Sequence, residues 1–259
     1  MPDLAFTQWM FLFVITLAAG IVQSATGFGF AVIAVPLFLL TLDSTTVIQI
    51  NIVLNLVNAL LIAPRIWRLA PTGLLRDLCV GALIGLPIGI VVFNMANVDH
   101  LKVAVAVLII GFCVHLMMSS TRRATSRVPG KTGSITTGGF SGALTSALAM
   151  PGPPVLIYLA HFDVDKDAFR ATNLSLYVVA YGCALLLQAT LGDMSLETWT
   201  ISAILVPVVI LGAVAGHVMA PWLSERVFRA SVLVTLLATG VYMIYATLDS
   251  MVSATGASP

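Results

Sequence analysis

Eleven of the twelve Lys and Arg residues of this chain fall in four short stretches, at 65–76, 122–131, 166–170 and 226–229, between long apolar runs. The runs cover 6–22, 45–63, 78–93, 101–118, 171–191, 199–220 and 230–248. Roughly 17–25 such residues cross a bilayer as a helix. Period-two alternation is absent, which excludes an outer-membrane barrel. Charged residues make up 9% of the chain against about 25% in a soluble domain. The longest polar stretch, 119–137, leaves no room for a soluble domain. An all-α polytopic membrane protein with about 8–10 membrane segments follows. A net charge of +1 gives no reason to expect a nucleic-acid partner.

Basic loops stay in the cytoplasm. Placing all four basic stretches inside leaves Asp43, Asp99, Asp193 and Glu197 outside with both termini, and Lys102 as the lone outer cation. The N-terminus carries Asp3 and no base before its first apolar run, unlike a cleaved signal peptide. Following the crossings then gives two inverted-topology repeats. Runs 45–63, 78–93 and 101–118 go in, out and in; runs 170–191, 198–220 and 229–248 go out, in and out. The expected division is 1–118, a cytoplasmic linker 119–133, 134–248 and a tail 249–259. Local matches agree: Ile84-Gly85-Leu86-Pro87-Ile88-Gly89 with Leu211-Gly212-Ala213-Val214-Ala215-Gly216, and Asn51 with Asn173. The glycine pairs predict close helix approach.

Each triplet follows a paired apolar element, 6–42 and 134–161, that starts and ends on one side. Each element contains an interruption. In the first, Gln23-Ser24-Ala25-Thr26-Gly27-Phe28-Gly29-Phe30 leads to Pro36; in the second, Ser141 to Met150 leads to Pro151-Gly152-Pro153-Pro154. Three prolines within four residues cannot continue a helix. Broken or re-entrant helices are expected at both places, with new helices starting near Phe28 and Pro154. Broken backbone at membrane depth is tolerated only against protein or a wet path. Helix N-termini there offer amide donors to an anion. No acidic residue lies within an apolar run, so a neutral-donor site for a strong-acid anion is the expectation.

The candidate substrate-binding residues are Gln23, Ser24, Thr26, Gly27, Phe28, Gly29, Asn51, Asn55, Ser141, Thr145, Ser146, Pro151, Gly152, Asn173 and Tyr177. Asn51, Asn55 and Asn58 share one helical face. Interhelical hydrogen bonding is the competing role for each polar member. Cys79, Cys113 and Cys183 stand apart with no CxxC spacing, as packing residues do. Cys113, His115 and Met117 alternate faces of a helix, so neither a metal nor a cofactor is expected. His217 lies near the inner face, and a proton relay through it is the lesser alternative to a packing role.

These same residues carry a resemblance. The run Ala25-Thr26-Gly27-Phe28-Gly29-Phe30 before Pro36-Leu37, the stretch Gly138-Gly139-Phe140-Ser141-Gly142 before Pro151-Gly152-Pro153-Pro154, and Asn173 beyond it resemble the TauE/SafE family of sulfite exporters, the TSUP group of anion transporters. The chain departs from the simpler Gly-rich family pattern at Thr145 to Met150. The resemblance implies transport of sulfite, thiosulfate, a sulfonate or another small organic or sulfur-containing anion across a bacterial inner membrane, by export. The partners expected are that anion, the lipid bilayer and, for a carrier of this kind, a second copy in a homo-oligomer. A membrane assembly factor that moves no solute is the rival class, which needs a partner-facing loop or groove. An enzyme needs clustered nucleophiles, bases or metal ligands, and the sequence has no such cluster.

Overall fold

The computed structural model describes residues 4–119, 129–162 and 164–220, less the side chains of 113 and 115–119. The expected crossing 229–248, the tail 249–259, most of the linker 119–133 and the bases Arg122, Arg123, Arg127, Arg226 and Arg229 lie outside the described residues. So do the side chains of Cys113, His115 and Met117.

The described chain is helical: α1 (Phe6–Thr26), α2 (Phe30–Leu42), α3 (Thr46–Ile66), α4 (Thr72–Met95), α5 (Val98–Ser119), α6 (Lys131–Leu148), α7 (Gly152–Leu159), α8 (Lys166–Leu191) and α9 (Leu196–Met219). Five of these, α1, α3, α4, α8 and α9, are long and apolar enough to cross a membrane. This is a polytopic membrane protein, and its packing is that of one. On α4, Val80, Leu83, Ile84, Ile88, Val91 and Val92 are exposed to the surroundings, while Gly81, Gly85 and Gly89 face inward. In lipid the large apolar side chains need no partner, so the small ones select the helix contacts.

Those contacts join helices far apart in the chain. Helix α1 packs most extensively on α9, and α6 on α4. A Cβ on Gly85 would strike the Gly139 carbonyl, and one on Gly212 would lie 2.8 Å from the Leu17 carbonyl. Gly89 faces the Ala143 carbonyl as Gly216 faces that of Ile21. Gly142 faces the Ala82 carbonyl as Gly20 faces that of Val209. Every pair maps onto its counterpart by the same two shifts, 127 residues from α4 to α9 and 122 from α1 to α6. The expected role of the glycines, close backbone approach, is what they perform.

At the centre α3 lies against α8. Gln49 Nε2 donates to Gln188 Oε1 (3.2 Å), and a Cβ on Gly182 would touch Leu56 Cδ1 at 4.0 Å. Numbers rise along one helix as they fall along the other, so the two run antiparallel. Gln49 also reaches the Gly192 carbonyl (2.6 Å) and accepts from Thr198 (3.3 Å), tying α3, α8 and α9 at one end.

Candidate functional site

Both expected interruptions are present. Helix α1 ends at Gly27, whose φ of 87° is left-handed and whose N–H returns to Gln23 O (2.7 Å). Gly29, with φ of 109°, starts α2. Two positive-φ residues around Phe28 reverse the chain at little steric cost because both are glycine. Thr26 Oγ1 fastens the reversal. It lies 2.7 Å from Val22 O and 2.8 Å from Phe28 O, and it accepts the Phe28 N–H at 3.3 Å. Helix α2 therefore begins at Phe30, two residues later than expected. No side chain caps it, and Phe30, Ala31 and Val32 are buried, so its first-turn amides face the interior uncapped.

The second interruption closes differently. Ala149 adopts φ of 56°, its N–H bonds to Thr145 O (2.9 Å), and the Met150 N–H reaches Leu144 O (3.1 Å). The bond from Ala149 to Thr145 is that of an αL closure, with alanine where glycine is usual. Helix α7 then starts at Gly152, two residues earlier than expected, with Pro153 and Pro154 in its first turn. Proline is compatible with a first turn because the N–H it lacks has no partner there. The same chemistry removes two donors from the first turn of α7 and leaves that of Gly152. Uncapped first-turn amides are thus more numerous at α2 than at α7.

The two breaks meet. A Cβ on Gly152 would lie 3.7 Å from Phe28 Cβ and 2.7 Å from the Tyr177 hydroxyl. The Phe28 ring stands edge-on to Phe112 and Phe169, each with centroids 6.4 Å away. One stripe of α8 serves both breaks. Arg170, Asn173, Tyr177, Tyr181 and Gln188 recur at helical spacing, and all are buried. A Cβ on Gly27 would meet Arg170 Cα at 2.8 Å. Tyr181 donates to Ala149 O (2.8 Å), and Gln188 to Ser146 O (3.0 Å). Asn173 therefore sits on that stripe between the residue at the first break and the residue at the second. Both polar atoms of its amide are buried without a partner.

The remaining candidates separate by how their hydrogen bonds are used. Ser24 donates to Asn58 Oδ1 (2.7 Å), Ser141 to Pro151 O (2.8 Å) and Thr145 to Ser141 O (2.6 Å). These hydroxyls, with that of Thr26, hold the breaks together. Gln23 Nε2 and Ser146 Oγ are buried and unpartnered. Asn51 and Asn55 donate back to Val47 O (2.9 Å) and Asn51 O (2.7 Å), which leaves each Oδ1 unpartnered.

The structure does not bring Asn51 and Asn173 together. Gln49 is level with Gln188, and Asn173 lies 15 residues before Gln188 along α8. At a rise of about 1.5 Å per residue, the two asparagines stand roughly 20 Å apart. Asn51, Asn55 and Ser146 belong to the end marked by Gln188. Gln23, Gly27, Gly152, Asn173 and Tyr177 belong to the other.

Tyr181, Gln188 and two charged residues, Asp77 and Arg170, are buried although the sequence did not single them out. Arg170, placed among the basic loop residues by sequence, is 7% exposed. Its Nε donates to Ser24 O (2.8 Å), and its Nη2 lies 3.0 Å from His217 Nδ1. The sequence signal was its position at the edge of the apolar run 171–191, three residues before Asn173.

The geometry thus joins an apolar helical bundle, two touching breaks and unpartnered polar atoms at the junction. Residues 12–243 match the family model described as sulfite exporter TauE/SafE. The chain belongs to the TauE/SafE family. No curated protein and no solved structure matches it. TauE/SafE proteins are membrane transporters rather than enzymes, and their cargo is sulfite or a related anion.

Proposed function

We propose that this TauE/SafE protein exports a small sulfur-containing or organic anion by alternating access, with the anion held where the two breaks meet. The Asn173 amide carries the reading. A buried amide with no partner costs about 1–3 kcal/mol, which a site for a polar guest explains and a structural contact does not. The uncapped α2 amides, Gln23 Nε2, Asn173 Nδ2 and the Tyr177 hydroxyl are the donors for that guest. Gly27, Gly29 and Gly152 allow the backbone close, and Phe28 packs the floor. Asn51, Asn55 and Ser146 form an equivalent polar patch further along the path. Ser24, Thr26, Ser141, Thr145 and Pro151 hold the breaks in shape.

Two inverted repeats, 1–118 and 134–248, are the frame for the motion, with the linker 119–133 in the cytoplasm and both termini in the periplasm of a bacterial inner membrane. The paired glycine contacts support this. So does the antiparallel crossing of α3 and α8. The shift of 122 that relates Asn51 to Asn173 meets the contact register of the two helices near Asn58 and Ala180, where a two-fold in the membrane plane would pass. An interior-negative potential drives an anion outward with about 2.3 kcal/mol per charge per 100 mV, so export needs no coupling ion. A membrane assembly factor would gain nothing from buried unpartnered amides.

The test is flux from proteoliposomes loaded in turn with radiolabelled sulfite, thiosulfate, methanesulfonate and acetate, with and without an imposed potential. The expected result is saturable efflux of a sulfur oxyanion, faster when the interior is negative. Absence of flux for every anion overturns the reading.

A further inference from the structure

We infer that Arg170 is the fixed positive charge of this site, the group that makes it selective for anions. The inference rests on the anion reading above. Arg170 is buried in a membrane-spanning helix, yet among the described residues it makes no ion pair with a carboxylate. Its two partners, Ser24 O and His217 Nδ1, are neutral acceptors. A guanidinium has five donors in a planar fork. Two are used, and Nη1 has no hydrogen bond among the described residues. Asp167, one turn earlier on α8 and exposed, acts on the guanidinium through space without pairing with it. A buried charge with no paired counter-ion among the described residues is costly and marks a functional position in a membrane protein. The missing negative charge is the guest's.

The placement suits that role. Asn173, three residues beyond Arg170, shares its face of α8, and both polar atoms of the Asn173 amide are unpartnered. An oxyanion with two oxygens on one centre, as in a sulfonate, sulfite or carboxylate, matches a fork and a neighbouring amide. The bond to Ser24 O also caps the carboxyl end of α1, where a cation is favourable. Capping alone requires one donor and no net charge. The shift of 122 that relates the halves puts Ile48 at the equivalent place on α3. The charge therefore belongs to one end of the path only, that of the first break and the start of α8.

The experiment compares wild type, Arg170→Gln and Arg170→Lys in proteoliposomes, reading the KM for radiolabelled sulfite and methanesulfonate and the melting temperature of each protein in detergent. Arg170→Gln should raise KM at least about tenfold, the effect of one lost charged contact. Arg170→Lys should keep KM closer to wild type. If Arg170→Gln does not fold, the neutral isostere methanesulfonamide is used against wild type and Arg170→Lys. It should compete at least about tenfold more weakly than methanesulfonate in both. An unchanged KM in Arg170→Gln with a lowered melting temperature means a helix cap only and overturns the inference. Equal loss in both variants, or equal competition by methanesulfonamide, overturns it too. If wild type itself moves no anion, the functional reading fails first, and the assignment falls with it.

Discussion

Gly152 and Tyr177 should be strongly coupled, and the coupling can be worked from the junction of the breaks. Gly152 starts α7 without a positive φ, so alanine fits its backbone. The added Cβ would lie 2.7 Å from the Tyr177 hydroxyl, where ordinary contact begins at 3.4 Å. The ring cannot swing clear, because it is buried and edge-on to Tyr181 with centroids 5.6 Å apart. Gly152→Ala should therefore destabilise by about 1–3 kcal/mol, the usual cost of overpacking. Removing the hydroxyl removes the collision. The next atoms are Phe28 Cβ at 3.7 Å and Tyr177 Cζ at 3.8 Å, both in ordinary contact. Tyr177→Phe alone should be within about 0.5 kcal/mol of wild type or slightly stabilising, since the buried hydroxyl it removes donates no hydrogen bond among the described residues. The double variant should be more stable than the sum of its parts by about 1–2 kcal/mol. Unfolding of the four proteins in mixed lipid–detergent micelles measures the cycle. Additivity within about 0.5 kcal/mol would refute the placement of Tyr177 against the α7 N-terminus.

Gly27→Ala meets both a left-handed φ and Arg170 Cα at 2.8 Å, so it should cost roughly 2–5 kcal/mol and abolish flux. Gly111→Ala, with nothing within 4 Å, should instead stabilise by about 0.5–1 kcal/mol; the same micelle assay ranks the pair. Ala149→Gly relieves a left-handed alanine and should stabilise by about 0.5–1 kcal/mol after the entropy of a more flexible unfolded chain is subtracted. Asn173→Leu removes two buried unpartnered atoms; it should raise the melting temperature while flux disappears, and a fall in stability would show that the amide has a structural partner.

The features legible in the sequence were those set by local chemistry. Long apolar runs had to become spanning helices, and Gly27-Phe28-Gly29 and Pro151 to Pro154 had to interrupt two of them. Gly85, Gly89, Gly212 and Gly216 had to be contact points, because only hydrogen at Cα lets two backbones touch. Helix starts were off by two residues where the rule was ambiguous, since proline that cannot continue a helix can begin one. The site was less legible. Gln23, Ser24, Thr26, Ser141, Thr145 and Ser146 were alike as sequence, all small polar residues beside a break.

Sequence alone determined that this chain crosses a membrane many times and breaks its helices twice, since backbone dihedrals and the solvation of apolar side chains are local properties. Tertiary structure decided which polar groups are spent and which are left over, because a hydroxyl or amide is satisfied only by a partner that the fold brings within about 3 Å. It separated Asn51 from Asn173 by the antiparallel register of α3 and α8. It also carried Arg170 from a loop assignment into the core, because the end of α1 folds against that turn of α8.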